Sequence, residues 1–286
     1  MILSVSRRTD IPAFYSAWFI NRLKSEFLCM KGYNNRISEV ALSPNNIECI
    51  VFWTKNPEMM LEYLDVIDAL GYKYYFQFTV TSYDTSIEVN VPKKSGIITT
   101  FKKLSDKIGP NRVIWRYDPI LITDKFNIYY HMKWFTHIAS ALYGYTNKCV
   151  ISFVDMYGKC KRNLEGINVQ QIDHSTKELL VETLATVARS LNITVETCSE
   201  NISSNTGVKN GKCIDDVLIS KITGTLLHLG KDPSQRSKCG CVKSVDIGVY
   251  NTCKHGCKYC YANYSSAIVD SNYALHDKFS PFQIGI

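Results

Sequence analysis

No apolar run in this chain of 286 residues approaches the roughly 18 to 20 residues needed to cross a bilayer. A membrane-spanning protein of the helical kind is therefore not expected. The start, Met1-Ile-Leu-Ser-Val-Ser-Arg-Arg, lacks a signal-peptide h-region, so the expected location is the cytoplasm. There is no sequence repeat and no low-complexity tract. With 45% hydrophobic and 21% charged residues, the disordered, collagenous and coiled-coil classes are also excluded. What remains is a globular chain long enough for a sizeable core. Its 33 Lys and Arg against 26 Asp and Glu leave a net charge of +7, which permits an anionic partner such as a nucleotide without demanding one.

Cysteine is the residue the chain has in excess, with 11 in all. In a reducing compartment thiols stay free, so a cysteine cluster there points to metal binding or catalysis rather than disulfides. Cys29, Cys49, Cys149 and Cys160 are scattered and read as small buried hydrophobes. The other seven lie between residues 198 and 260.

Short, continuous apolar runs alternate with longer amphipathic segments, the pattern of β-α units around a parallel sheet buried on both faces. Seven strands are predicted: Ile2 to Ser6, Cys49 to Thr54, Tyr74 to Thr81, Arg112 to Tyr117, Cys149 to Val154, Ile193 to Cys198 and Val245 to Tyr250. Helices are predicted over Ala13 to Phe27, Glu58 to Leu70, Ile97 to Ile108, Ile128 to Tyr143 and Ser175 to Leu191. Seven such units suggest an α/β fold in the form of a full or partial TIM-like β/α barrel. The chain is read as one domain over residues 1–286, with a cysteine-containing irregular insertion at 201–243 and a cluster strand and loop at 244–264.

In such barrels chemistry collects at the carboxyl ends of the strands. Polar residues recur there: Ser6, Arg7, Arg8, Thr9 and Asp10 after the first strand, then Lys55 and Asn56, then Arg116 and Asp118. Any one of them can be an ordinary cap or turn residue, or half of a structural ion pair. Their recurrence at one edge marks them as candidates for holding a cofactor or an anionic substrate, with Arg116 and Asp118 also candidates for catalysis.

The sharpest motif is Cys253-Lys-His-Gly-Cys257-Lys-Tyr-Cys260, a C-x3-C-x2-C loop directly after the last predicted strand. Three thiolates on one tight loop can hold three irons of a cubane and leave the fourth iron open, and Gly256 lets the backbone bend around it. A structural zinc site wants four closed ligands in paired steps, which the uneven triplet does not supply unless His255 is the fourth.

The loop resembles the signature of the radical S-adenosylmethionine (SAM) superfamily, C-x3-C-x-aromatic-C, with Tyr259 as the aromatic residue. The resemblance implies a 4Fe-4S cluster on Cys253, Cys257 and Cys260, SAM bound at the open iron, and reductive cleavage of SAM to a 5′-deoxyadenosyl radical. It also implies a flavodoxin or ferredoxin as reductant. In that superfamily the loop follows the first strand, whereas here six strands precede it, so the barrel is expected to be circularly permuted. The strand Ile2 to Ser6 should then lie beside Val245 to Tyr250, with Ser6, Arg7, Arg8, Thr9 and Asp10 taking the place of the motif that binds the amino group of SAM. The family's Gly-Gly-Glu motif is absent, so only the three cysteines and Tyr259 carry over directly.

With Ser-Arg-Arg-Thr-Asp-Ile-Pro-Ala at 6–13, Trp-Thr-Lys-Asn-Pro at 53–57 and Cys-Gly-Cys at 239–241, the whole chain resembles a bacterial family known as domain of unknown function 1848. That family implies no reaction. Through the Thr-Lys-Asn strand end the chain is also distantly similar to the spore photoproduct lyase group of radical SAM enzymes. The substrate class, a small molecule or a nucleotide, stays open.

Four late cysteines remain: Cys198, Cys213, Cys239 and Cys241. Four thiolates suffice for an auxiliary iron–sulfur cluster or a zinc site, and unrelated thiols are the third reading. Cys198, at a strand end, is alternatively a hydrogen-atom donor. The rival function for the whole chain is a non-catalytic iron–sulfur or zinc module for electron transfer or nucleic-acid binding.

Overall fold

A computed structural model describes every residue except 33, 204, 205, 228 and 286. Its strands are β1 (Ile2–Val5), β2 (Phe27–Lys31), β3 (Ile37–Ala41), β4 (Cys49–Thr54), β5 (Tyr74–Thr79), β6 (Val113–Ile120), β7 (Lys148–Phe153), β8 (Thr194–Thr197), β9 (Lys209–Asn210) and β10 (Val245–Asp246). Its helices are α1 (Ile11–Phe14), α2 (Ser16–Ser25), α3 (Glu58–Leu61), α4 (Leu64–Ala69), α5 (Lys94–Ile108), α6 (Ile128–Ala141), α7 (Gly158–Asn163), α8 (His174–Ser190), α9 (Asp216–Thr223) and α10 (Ser266–Ala274).

Eight strands form one sheet in the order β10-β1-β4-β5-β6-β7-β8-β9, and every pairing in it is parallel. All seven predicted strands are present. The expected pairing of the first and last of them is observed, with Leu3 opposite Val245 and Ser4 opposite Asp246. The strand predicted to run to Tyr250 is only two residues long, because the Asp246 carboxylate accepts from the Gly248 amide at 3.2 Å and turns the chain out of the ladder. The helix predicted over Ala13 to Phe27 breaks at Tyr15, which leaves helical geometry and donates its hydroxyl to the Thr252 carbonyl at 2.7 Å. Phe27 belongs instead to the β2–β3 hairpin, which periodicity did not mark.

The strands are buried on both faces, and alternate residues serve different cores. On one side Val5, Phe52, Phe76 and Trp115 pack with helix residues such as Phe19, Phe101 and Phe135. On the other side Ile2, Val51, Tyr75, Ile114 and Val150 pack against Ile214, Ile219 and Val242. Each fully buried side chain of this size contributes roughly 1.5 to 3 kcal/mol. The stretch 201–243, expected to be irregular throughout, therefore carries its own helix α9, capped by Asp215, and covers the second face of the sheet.

The sheet is open. Among the described residues β9 and β10, the edge strands, do not pair with each other, so the full barrel of the sequence reading is not seen. Each edge strand has only two residues, too little ladder to close a barrel, and the 201–243 stretch occupies the face that closure would enclose. No described helix is long and apolar enough to cross a membrane.

Candidate functional site

Parallel strands deliver their following loops to one edge of the sheet, and a cavity of about 540 Å³ opens there. Ser6 to Asp10 after β1, Lys55 after β4, Arg116 and Asp118 of β6, and Cys198 after β8 all line it. So do Cys253, Cys257, Tyr259 and Cys260 of the cysteine loop, and Cys213, Cys239 and Cys241 of the covering stretch. Of the predicted site residues, Asn56 alone does not line this cavity. Its amide donates to Thr54 Oγ1 at 3.0 Å, and its buried side-chain oxygen has no partner.

The β1–β10 pairing sets the cysteine loop against the first strand end. Asp246, overlooked in the sequence because it sits inside an apolar run, is the fastener. It accepts from Ser4 Oγ at 2.8 Å, Ser6 Oγ at 2.6 Å and the Arg7 amide at 2.9 Å, and Arg7 Nε lies 3.6 Å away. Gly248 is required here, since a Cβ would fall 1.9 Å from Ser6 Oγ. Arg7 lies over Trp53 and Arg8 over Tyr250. Asp10 caps α1 through the Ala13 amide at 3.0 Å, accepts from the Lys55 amide at 2.7 Å and meets His255 Nε2 at 2.8 Å. His255 is thereby committed to Asp10 through one nitrogen. Its Nδ1 is buried without a partner, as is Thr9 Oγ1.

On its other side the cysteine loop is braced by the segment after β5. The Lys258 amide donates to Ile87 O and the Asn90 amide to His255 O, both at 2.9 Å. Gly256 takes a φ of +65°, the left-handed turn that its lack of a Cβ allows. Glu88, only 1% exposed, accepts from Thr81 Oγ1 at 2.6 Å and Lys55 Nζ at 2.7 Å, and also from Lys94 Nζ and the Tyr259 hydroxyl. Burial alone would raise its pKa, but Lys55 and Lys94 overcome that and hold it well below the usual carboxylate range. Nothing in the sequence singled out Glu88, whose role depends on partners drawn from four separate segments.

Burial is the largest cause raising the pKa of each loop thiol, and Cys260 raises those of Cys253 and Cys257 further. Cys257 is pushed up to about 12 by burial, against the pull of Lys55. Cys260 Sγ accepts from the Ala262 amide at 3.3 Å. Half-buried thiols with raised pKa values favour a cation that displaces their protons. Among the described residues no group of three or more His, Cys, Asp or Glu side chains converges to hold a metal ion. The donor set, three soft thiols on a glycine-bent loop beside a cavity, fits a larger iron–sulfur group. Cys160, read as a buried hydrophobe, also lines the cavity, and its thiol donates to Tyr259 O at 3.1 Å.

In the lining of the same cavity, Cys198 and Cys213 have their sulfurs 3.5 Å apart, and the thiols of Cys213, Cys241 and Cys239 continue the contact. Arg116 Nη1 donates to Cys213 Sγ at 2.9 Å and to Gln77 Oε1 at 3.2 Å, and its other end pairs with Asp118.

A parallel α/β protein with a thiol-lined cavity at the carboxyl ends of its strands is the class these features define. Within it, the chain belongs to the family described as "Domain of unknown function (DUF1848)", whose sequence profile matches residues 2–262. No curated protein and no solved structure matches the chain.

Proposed function

We propose that this chain is a radical SAM enzyme whose 4Fe-4S cluster sits on Cys253, Cys257 and Cys260. The observation that carries the reading is the position of the C-x3-C-x2-C loop, whose three thiols line a cavity shared with the polar ends of β1, β4 and β6. We read the open sheet as a partial β/α barrel in circularly permuted order, because the strand leading to the loop is the last in sequence yet pairs with the first.

Cys253, Cys257 and Cys260 would hold a cubane with one open iron, which when reduced would supply the electron that splits the sulfonium of bound SAM into methionine and a 5′-deoxyadenosyl radical. The chain's own residues would bind and orient. Ser6, Arg7, Arg8 and Thr9 present polar groups beside the loop, with the buried Thr9 hydroxyl unpartnered and available to the amino or carboxylate group of SAM. Glu88 ties Lys55 to Tyr259 of the loop. Trp53, Phe153 and Val154 supply apolar wall to the cavity, which keeps water from a reactive intermediate. Arg116 with Asp118 faces the interior as a holder for a polar, anionic or nucleotide-like substrate. A cytoplasmic setting with flavodoxin or ferredoxin as electron donor completes the proposal.

A non-catalytic iron–sulfur or zinc module has no use for a cavity lined by the ends of several strands. The test is anaerobic: reconstituted protein reduced with dithionite is expected to convert SAM to 5′-deoxyadenosine, and the Cys253→Ala, Cys257→Ala, Cys260→Ala triple variant is expected not to. Intact SAM after reduction of wild-type protein with a verified cluster overturns the reading.

A further inference from the structure

The covering stretch 201–243 packs three cysteines against a fourth at the end of β8. Cys198 follows β8, Cys213 precedes α9, and Cys239 and Cys241 lie in the return segment, yet the four form an unbroken run of contacts. Three of them are buried in the second core, Cys213 at 3% exposure, Cys239 at 7% and Cys241 at 2%. Their surroundings donate to sulfur. Arg116 reaches Cys213 Sγ at 2.9 Å and the Ile214 amide reaches Cys241 Sγ at 3.3 Å. The Cys213 backbone is held independently, its carbonyl accepting from the Tyr75 hydroxyl at 2.6 Å and from Gln77 Nε2 at 2.8 Å. N–H donors aimed at sulfur and second contacts that fix the ligand's backbone are the supports a thiolate-ligated centre requires.

We propose that Cys198, Cys213, Cys239 and Cys241 are the four ligands of a second iron–sulfur cluster, separate from the loop site and opening on the same cavity. Four thiolates close such a cluster, in contrast to the three of the loop. Because each iron of a cluster takes its own thiolate, Cys198 and Cys213, in sulfur contact at 3.5 Å, move apart when the cluster is held. Arg116 is the positioning residue of this centre. Its guanidinium, buried and tied to Asp118, offsets the negative charge that four cysteinates bring.

The experiment uses the full chain with Cys253, Cys257 and Cys260 replaced by Ala, reconstituted anaerobically with ferrous iron and sulfide. It is expected to keep iron, acid-labile sulfide and visible thiolate-to-iron absorption, and a further Cys213→Ala change is expected to remove them. Iron lost from the triple variant relative to wild type reports on the loop site; iron retained reports on this one, so the two readings fail separately. Two measurements do not depend on the variants folding alike. In wild-type protein all four thiols should resist iodoacetamide together and all become reactive, Cys239 first, once a chelator strips the iron, read by mass spectrometry. Arg116→Met, with a cation gone from beside the cluster, should move its midpoint potential to a more negative value while the loop centre's stays in place. A triple variant that is folded by circular dichroism yet free of iron, zinc in place of iron and sulfide, or four thiols alkylated independently in the untreated protein overturns the proposal.

Discussion

The two thiol sets line one cavity in different surroundings. The loop thiols sit in a charged frame in which Lys55, Lys94 and Glu88 lie on one side and Asp10 with His255 on the other. The second set sits in an apolar core beside Ile2, Val51 and Val150, with Arg116 donating to one of its sulfurs. A charged frame holds a loop in place while leaving polar groups free to meet an incoming ligand. An apolar frame shields what it surrounds and fixes it by packing. The first is suited to a centre that binds something new in each cycle, the second to a resident one.

Substitutions can break this contrast, and the largest effect is expected in activity. Removing the three loop thiols should abolish SAM cleavage, whereas Cys213→Ala should leave uncoupled cleavage to 5′-deoxyadenosine measurable by chromatography. Equal loss in both would mean that the two sets form one centre. Glu88→Gln strips a buried carboxylate from two lysines, and breaking a buried ionic group of this kind costs roughly 3 to 5 kcal/mol. Urea unfolding should show that loss. Asp246→Asn is expected to cost less, about 1 to 3 kcal/mol, since it weakens charged hydrogen bonds from Ser4, Ser6 and Arg7 without emptying the site. Gly248→Ala should cost a similar 1 to 3 kcal/mol by overpacking against Ser6. If it is neutral, β1 and the segment after β10 are not in contact.

The smallest and sharpest test is chemical. In metal-free protein a hydrogen bond from Cys241 holds the Cys239 thiol down to about 7, while burial pushes Cys257 up to about 12. The thiolate is the nucleophile, so alkylation of Cys239 should rise through neutral pH and level off above it. Alkylation of Cys257 should stay slow at neutrality and climb throughout the alkaline range. Matching pH profiles for the two would remove the electrostatic distinction between Cys239 and Cys257.

Much of the fold was readable because parallel strands buried on both faces write continuous apolar runs, as in Ile50-Val51-Phe52 and Tyr74-Tyr75-Phe76. Boundaries failed where a tertiary contact overrode local periodicity. Tyr15 left the helix to reach Thr252, and the last strand stopped at Asp246 because its side chain bonded forward to Gly248. The 201–243 stretch looked irregular because its apolar residues answer to the sheet above them rather than to any period of their own.

By itself the sequence determined the α/β alternation and the C-x3-C-x2-C loop, because helical period, strand burial and three thiols within eight residues of Cys253–Cys260 are properties of near neighbours. Tertiary structure alone decided that the last strand pairs with the first, that the sheet stays open, and that Glu88 and Asp246 become the loop's anchors. It also decided that Cys198, Cys213, Cys239 and Cys241 meet. These outcomes join segments as far apart as residues 4 and 246, and no local propensity specifies such a contact. It arises when burying both faces of one parallel sheet leaves those segments no other place to lie.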